Sequence, residues 1–140
     1  MNEYTVLCVD DDEAIRELYE VAFMSWGHCA ITAGSGSQAL DVLSKRVAGI
    51  DAVVVDYEMP GMNGAELAAE IKLKNPSLPV LMVSGNSEIL HRIPPFVDAA
   101  LAKGSDLELI LDQIEQLLAP TGTPKPAERV RWTIAGSASA

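Results

Sequence analysis

The chain holds 140 residues, enough for one domain with a short appendage and too few for a two-domain enzyme, since domains run to about 100 to 200 residues. Hydrophobic residues make up 49% of it and charged residues 21%, a composition that fills one core and excludes wholesale disorder. Twenty acidic side chains against ten basic give a net charge of −10, which disfavours general attraction to DNA or an anionic membrane and favours a cation or a basic protein patch.

No stretch approaches the roughly 18 uninterrupted apolar residues of a membrane helix. The opening MNEYTVLCVDDD has no basic segment leading into an apolar one. A cytoplasmic protein with no membrane partner is expected. Cys8 and Cys29 sit in apolar runs without a CxxC or Cys/His cluster, so both are expected as reduced, buried thiols.

In chain order, short apolar runs alternate with segments of helical spacing. Residues 6–9 read as a first strand, and Asp12 as the cap of a helix with Ile15, Leu18, Tyr19, Ala22 and Trp26 on one stripe. Residues 29–33 read as a second strand, followed by a helix capped at Ser37 with Ala39, Leu40 and Leu43 inward. The Gly34-Ser35-Gly36-Ser37 stretch lacks the lysine of a phosphate-binding loop and reads as a turn into that helix. A third strand over 52–55 precedes a helix capped at Asn63 with Leu67, Ala68 and Ile71 inward. Residues 80–83 and 99–102 give the fourth and fifth strands, and a last helix, capped at Ser105, carries Leu107, Ile110, Leu111, Ile114, Leu117 and Leu118.

The strand runs do not alternate with polar positions, as befits strands buried on both faces. The fourth helical slot is the exception: Pro94 and Pro95 remove two backbone donors, so only one or two turns fit. Beyond Ala119, PTGTPKPAERVRWTIAGSASA reads as a flexible Pro-rich tail, with residues 129–134 able to dock as an extended segment and Trp132 either its anchor or incidental. The alternation predicts an α/β fold, a parallel sheet with helices on both faces.

All but the second strand run into polar residues: Asp10, Asp11 and Asp12 after the first, Asp56 after the third, Ser84 after the fourth, Lys103 after the fifth. In open parallel sheets ligands bind at that rim. Clustered carboxylates raise one another's pKa, and an oxygen-only set favours Mg²⁺, commonly held by one or two carboxylates with a phosphate oxygen. With Ser84 and Lys103 beside them, the acids point to phosphoryl transfer onto a carboxylate. His28 and His91 lie off this rim and read as structural, and Asp12 reads as a cap more than a ligand.

VLCVDDDEAIRE, VVVDYEMPGMNG, PVLMVSGN and ALAKG, in this order and spacing, resemble the receiver domain of bacterial two-component response regulators over residues 4 to 119. The resemblance implies a doubly wound five-stranded parallel sheet in the order 2-1-3-4-5, a receiver over residues 1–119 and a tail over 120–140. It further implies that Asp56 accepts a phosphoryl group from a histidine kinase or histidine phosphotransfer protein. Mg²⁺ would be held by Asp10, Asp11, Asp56 and the backbone carbonyl of Glu58, and Ser84 and Lys103 would contact the phosphoryl group. The side chain of Glu58 would tune hydrolysis, hold the metal's water, or sit in solvent. Pro60, Gly61 and Gly64 fit the tight loop after Asp56.

The chain also departs from the family. Gly104 follows Lys103 where proline is usual, and Ala100 replaces the aromatic that swings with the hydroxyl residue. With Pro94 and Pro95, these weigh against the usual output through the fourth helix and fifth strand. A tail of about 20 residues is too short for a helix-turn-helix, so output is expected through an unidentified downstream protein, without nucleic acid, from a monomer or weak homodimer. Two other readings are weighed: a constitutive interaction or dimerisation module that keeps the acidic pocket, and a metal-dependent phosphatase built on Asp10 and Asp12. The latter lacks the cap elements such enzymes need.

Overall fold

The computed structural model describes residues 3–46 and 49–119. The expected tail, with Arg129 and Trp132, falls outside them. Among the described residues five strands and five helices alternate: β1 (Thr5–Val9), α1 (Glu13–Ser25), β2 (Cys29–Ala33), α2 (Gly36–Lys45), β3 (Ala52–Asp56), α3 (Gly64–Lys74), β4 (Val80–Ser84), α4 (Ser87–His91), β5 (Ala99–Ala102) and α5 (Leu107–Leu117). All strand pairs are parallel, in the order β2-β1-β3-β4-β5. The fold class is the one the alternation predicts, and the strand order is the one the family resemblance implies.

Alternating residues of the central strands feed two cores. Val6, Cys8, Val54, Leu81 and Leu101 meet Tyr19 and Phe23 of α1 and Ile110 and Ile114 of α5. Leu7, Val9, Val53, Val55 and Met82 meet Ala39 of α2 and Leu67 and Ile71 of α3. The central strands β3 and β4 are buried along their whole length. β2, at one edge, is not: only Ala33 of its five residues is fully buried. Cys29 is exposed there, against expectation, because an apolar run at a sheet edge has a neighbour on one side only. Cys8, in the middle of β1, is buried as expected, and burial pushes its thiol pKa up.

The caps show how local chemistry sets the helix starts. Asp12 accepts the Ala14 N–H at 2.9 Å and Asn63 closes a reciprocal capping box with Glu66. Two expected caps are displaced. Ser35, not Ser37, accepts the Gln38 N–H and begins α2. Ser105 donates to the Ala102 carbonyl at 2.6 Å, and α5 starts after Asp106 without a side-chain cap. Ser35 and Ser37 both flank the start of α2, and Ser105 and Asp106 both precede α5, so residue type alone does not choose between them.

As the proline pair requires, α4 is five residues long and stops at His91. Phe96 follows at φ 76°, a left-handed conformation unusual outside glycine, with its ring exposed. Trp26 terminates α1, partly buried with its ring 5.7 Å from that of Phe23. His28 accepts the Tyr4 N–H and stacks on the Tyr4 ring, and His91 bonds the Ser87 carbonyl oxygen. Both are structural contacts.

Candidate functional site

Register brings the acids together. Val9 of β1 stands opposite Val55 of β3, so Asp10 and Asp56 leave adjacent strands at the same level. Asp56 is opposite Val83 and Ser84 opposite Ala102, so the next residue of each chain segment carries Ser84 and Lys103 to the same rim. Oxygens of Asp10, Asp11 and Asp56 all lie within 4.8 Å of one another. The backbone holds this geometry: the Asp12 N–H donates to Asp10 Oδ1 at 2.9 Å, and Arg16 donates to the Asp10 carbonyl at 2.8 Å.

Asp56 is only 3% exposed. Lys103 Nζ sits 3.1 Å from its Oδ1 and 3.3 Å from its Oδ2, and the Glu58 N–H donates to Oδ1 at 3.2 Å. Burial, assisted by the charge of Asp10, outweighs these donors and pushes the Asp56 carboxyl up from 3.8 to about 6. Asp10 is raised as well, chiefly by burial and then by Asp11. Lys103 is raised: burial opposes its charge, but the hydrogen bond and charge of Asp56, with Glu58 behind them, prevail. The site therefore carries more buried negative charge than its one lysine offsets. That is the donor set and the charge imbalance a divalent cation with oxygen ligands fits.

The Glu58 carboxylate, though its side chain is exposed, is held by donors on other elements. Its Oε2 accepts the Ser84 hydroxyl at 2.7 Å and its Oε1 the Gly85 N–H at 3.3 Å, with Lys103 Nζ at 3.5 Å. Burial alone would raise its carboxyl, yet the Ser84 hydrogen bond, the Gly85 N–H and Lys103 hold it below the ordinary value. Sequence reading offers no signal for this grip, since it joins residues 26 positions apart that only the pairing of β3 with β4 and the loop after Asp56 bring together. The Gly85 N–H is a further polar group of the site that residue identity could not reveal.

The loop after Asp56 is shaped by two glycines. Gly61 adopts φ +76°, and a Cβ on Gly64 would lie 2.7 Å from the Asp56 carbonyl oxygen and 2.8 Å from Tyr57 Cα. Gly64 thus lets α3 begin against the end of β3. Ala100 is fully buried, and Ile89, Leu90, Ile93 and Val97 are packed against the cluster it belongs to. At that position there is no aromatic ring to move.

The family model of the response regulator receiver domain matches residues 6–115. TcrX of Mycobacterium tuberculosis, a probable transcriptional regulatory protein, is 31% identical over 121 residues, covering 84% of this chain and 51% of its own length. NtrC of Klebsiella pneumoniae, a DNA-binding transcriptional regulator, is 37% identical over 114 residues, 79% of this chain and 24% of its own. The chain thus spans about half or less of these relatives. Among solved structures, the response regulator TrrA of Thermotoga maritima in complex with Mg²⁺-BeF superposes with a TM-score of 0.74 at 28% identity, covering 82% of this chain and 99% of that one. No helix among the described residues is long and apolar enough to cross a membrane.

Proposed function

The chain belongs to the response regulator receiver domain family, a signalling domain of two-component systems, and from that premise we propose that Asp56 accepts a phosphoryl group from a histidine kinase or histidine phosphotransfer protein. The observation that carries this reading is the buried Asp56 carboxylate within 4.8 Å of Asp10 and Asp11 oxygens and 3.1 Å from Lys103 Nζ. An Asp56 oxygen attacks phosphorus as the bond from phosphorus to the donor imidazole breaks, the electron pair leaving with the ring nitrogen. Even without a cation, with its carboxyl at about 6, Asp56 is mostly ionised near neutrality, so the nucleophilic carboxylate is the prevailing form.

Lys103 orients the attacking carboxylate and offsets charge on the phosphoryl oxygens, and Ser84 supplies a hydroxyl donor from the end of β4. Asp10, Asp11, Asp56 and the Glu58 carbonyl would hold Mg²⁺. The ion supplies positive charge against which three acids and an incoming dianion can coexist. The output is altered protein binding by the loops after β3 and β4, biased because the phosphoryl group contacts one of their arrangements and not the other. DNA binding is stated of relatives that extend well beyond the matched region, and within this chain the proposed partners are proteins. The cytoplasm is the proposed location.

Incubation with acetyl phosphate and Mg²⁺, followed by intact-mass measurement, tests the reading. A gain of one phosphoryl group is expected in the wild type and none in Asp56→Asn. Equal modification of both, or of neither, would overturn it. The short α4 and the buried Ala100 favour one variation: a module whose partner binding changes little between the two states. Equal partner affinity before and after complete modification would select it.

A further inference from the structure

Glu58 is anchored by donors from two other elements: the Ser84 hydroxyl at the end of β4 with the Gly85 N–H beyond it, and Lys103 after β5. Lys103 Nζ bridges the Glu58 and Asp56 carboxylates at 3.5 and 3.1 Å. Any group built onto Asp56 within reach of that ammonium therefore meets Glu58. A carboxylate and a phosphoryl group are both oxyanions that seek the same donors, and a hydroxyl has one proton to give.

Resting on the reading of Asp56 as phosphoacceptor, we propose that the Glu58 carboxylate is an internal stand-in for the phosphoryl group. It fills the donor set of Ser84, Gly85 and Lys103 in the unmodified protein and must be expelled when Asp56 is phosphorylated. Its side chain is already 40% exposed, so solvent receives it at little steric cost. The exchange reaches α4 through a short path. Ser84 Oγ also accepts the Asn86 N–H at 3.0 Å, and Asn86 Oδ1 caps α4 at the Glu88 and Ile89 N–H groups. The anion that holds Ser84 sets the position from which α4 starts. Competition between two anions thus takes the place of the missing aromatic at Ala100.

Beryllofluoride with Mg²⁺, a tetrahedral phosphoryl probe, tests the proposal on the full chain by ¹⁹F NMR titration. A stand-in that leaves its donors free about a tenth of the time weakens apparent affinity about tenfold, so Glu58→Ala is expected to bind the probe about tenfold more tightly. In a Ser84→Ala background the gain should shrink markedly, since part of the contested donor set is gone. An equal gain in both backgrounds would indicate charge repulsion alone and overturn the proposal, as would no gain. The contact itself is read without the probe: the Gly85 amide proton resonance of metal-free protein should move in Glu58→Ala. An unmoved resonance would also overturn it. If the wild type takes up no probe, the phosphoacceptor reading falls and takes this one with it; uptake without a gain in Glu58→Ala removes the stand-in alone.

Discussion

Replacing Asp56 by Asn is expected to stabilise the metal-free protein at neutral pH. The carboxyl sits in a nearly inaccessible position between β1 and β4, where burial and the neighbouring Asp10 raise it from 3.8 to about 6. A raised acid pKa means the folded state binds the proton more tightly than the unfolded chain. Below about 3.8 both states hold the proton and nothing is lost; as pH climbs from there through about 6 the native carboxyl must ionise against its surroundings and stability falls. At about 1.4 kcal/mol per pH unit, the displacement amounts to about 3 kcal/mol once ionisation is complete. Asparagine keeps the shape and never ionises, and Lys103, 46% exposed, retains Glu58 as a partner. Urea denaturation in EDTA should therefore find Asp56→Asn more stable than wild type by about 2 to 3 kcal/mol at pH 7.5, with the difference closing toward pH 4. Adding Mg²⁺ should narrow the gap, because the wild type gains about 2.7 kcal/mol at a hundredfold excess over its Kd while the variant has lost a ligand. A variant that is less stable than wild type at pH 7.5, or a difference independent of pH, would refute the electrostatic account of this site.

Two further outcomes are expected. Gly64→Ala places a methyl group against the Asp56 carbonyl and Tyr57 Cα, backbone atoms that cannot turn aside, and should cost about 2 to 4 kcal/mol. Gly61→Ala meets open space and only the strain of φ +76°, about 1 kcal/mol; comparable urea midpoints for the two variants would contradict this. A disulfide exchange reagent should modify one thiol rapidly in the native protein, Cys29, and reach Cys8 only on unfolding, with mass mapping of the early product as the check.

Some of this architecture was written locally. Residues 52–55 and 80–83 are continuous apolar runs because β3 and β4 are covered on both faces, and Pro94 with Pro95 forbids a long α4 by removing donors, whatever surrounds them. The same composition misled at the margin: Cys29 and its neighbours read like a central strand because hydropathy does not record which strand lies at the edge.

The candidate site divides along the same line. The acids, Ser84 and Lys103 stand out in the sequence because each follows an apolar run, and any parallel sheet carries the ends of its strands to one rim. How those groups engage one another depends on register and loop path. Asp56 owes its raised carboxyl to the depth at which β3 ends between β1 and β4, and Glu58 owes its hold on Ser84 and Gly85 to the parallel pairing of β3 with β4, which brings together residues 26 positions apart. Residue types and spacing fixed which chemistry is present; distances of 3 Å between residues remote in the chain arise only when strands pair and cores close, and those distances decide which charge is held, which is strained and which donor is already taken.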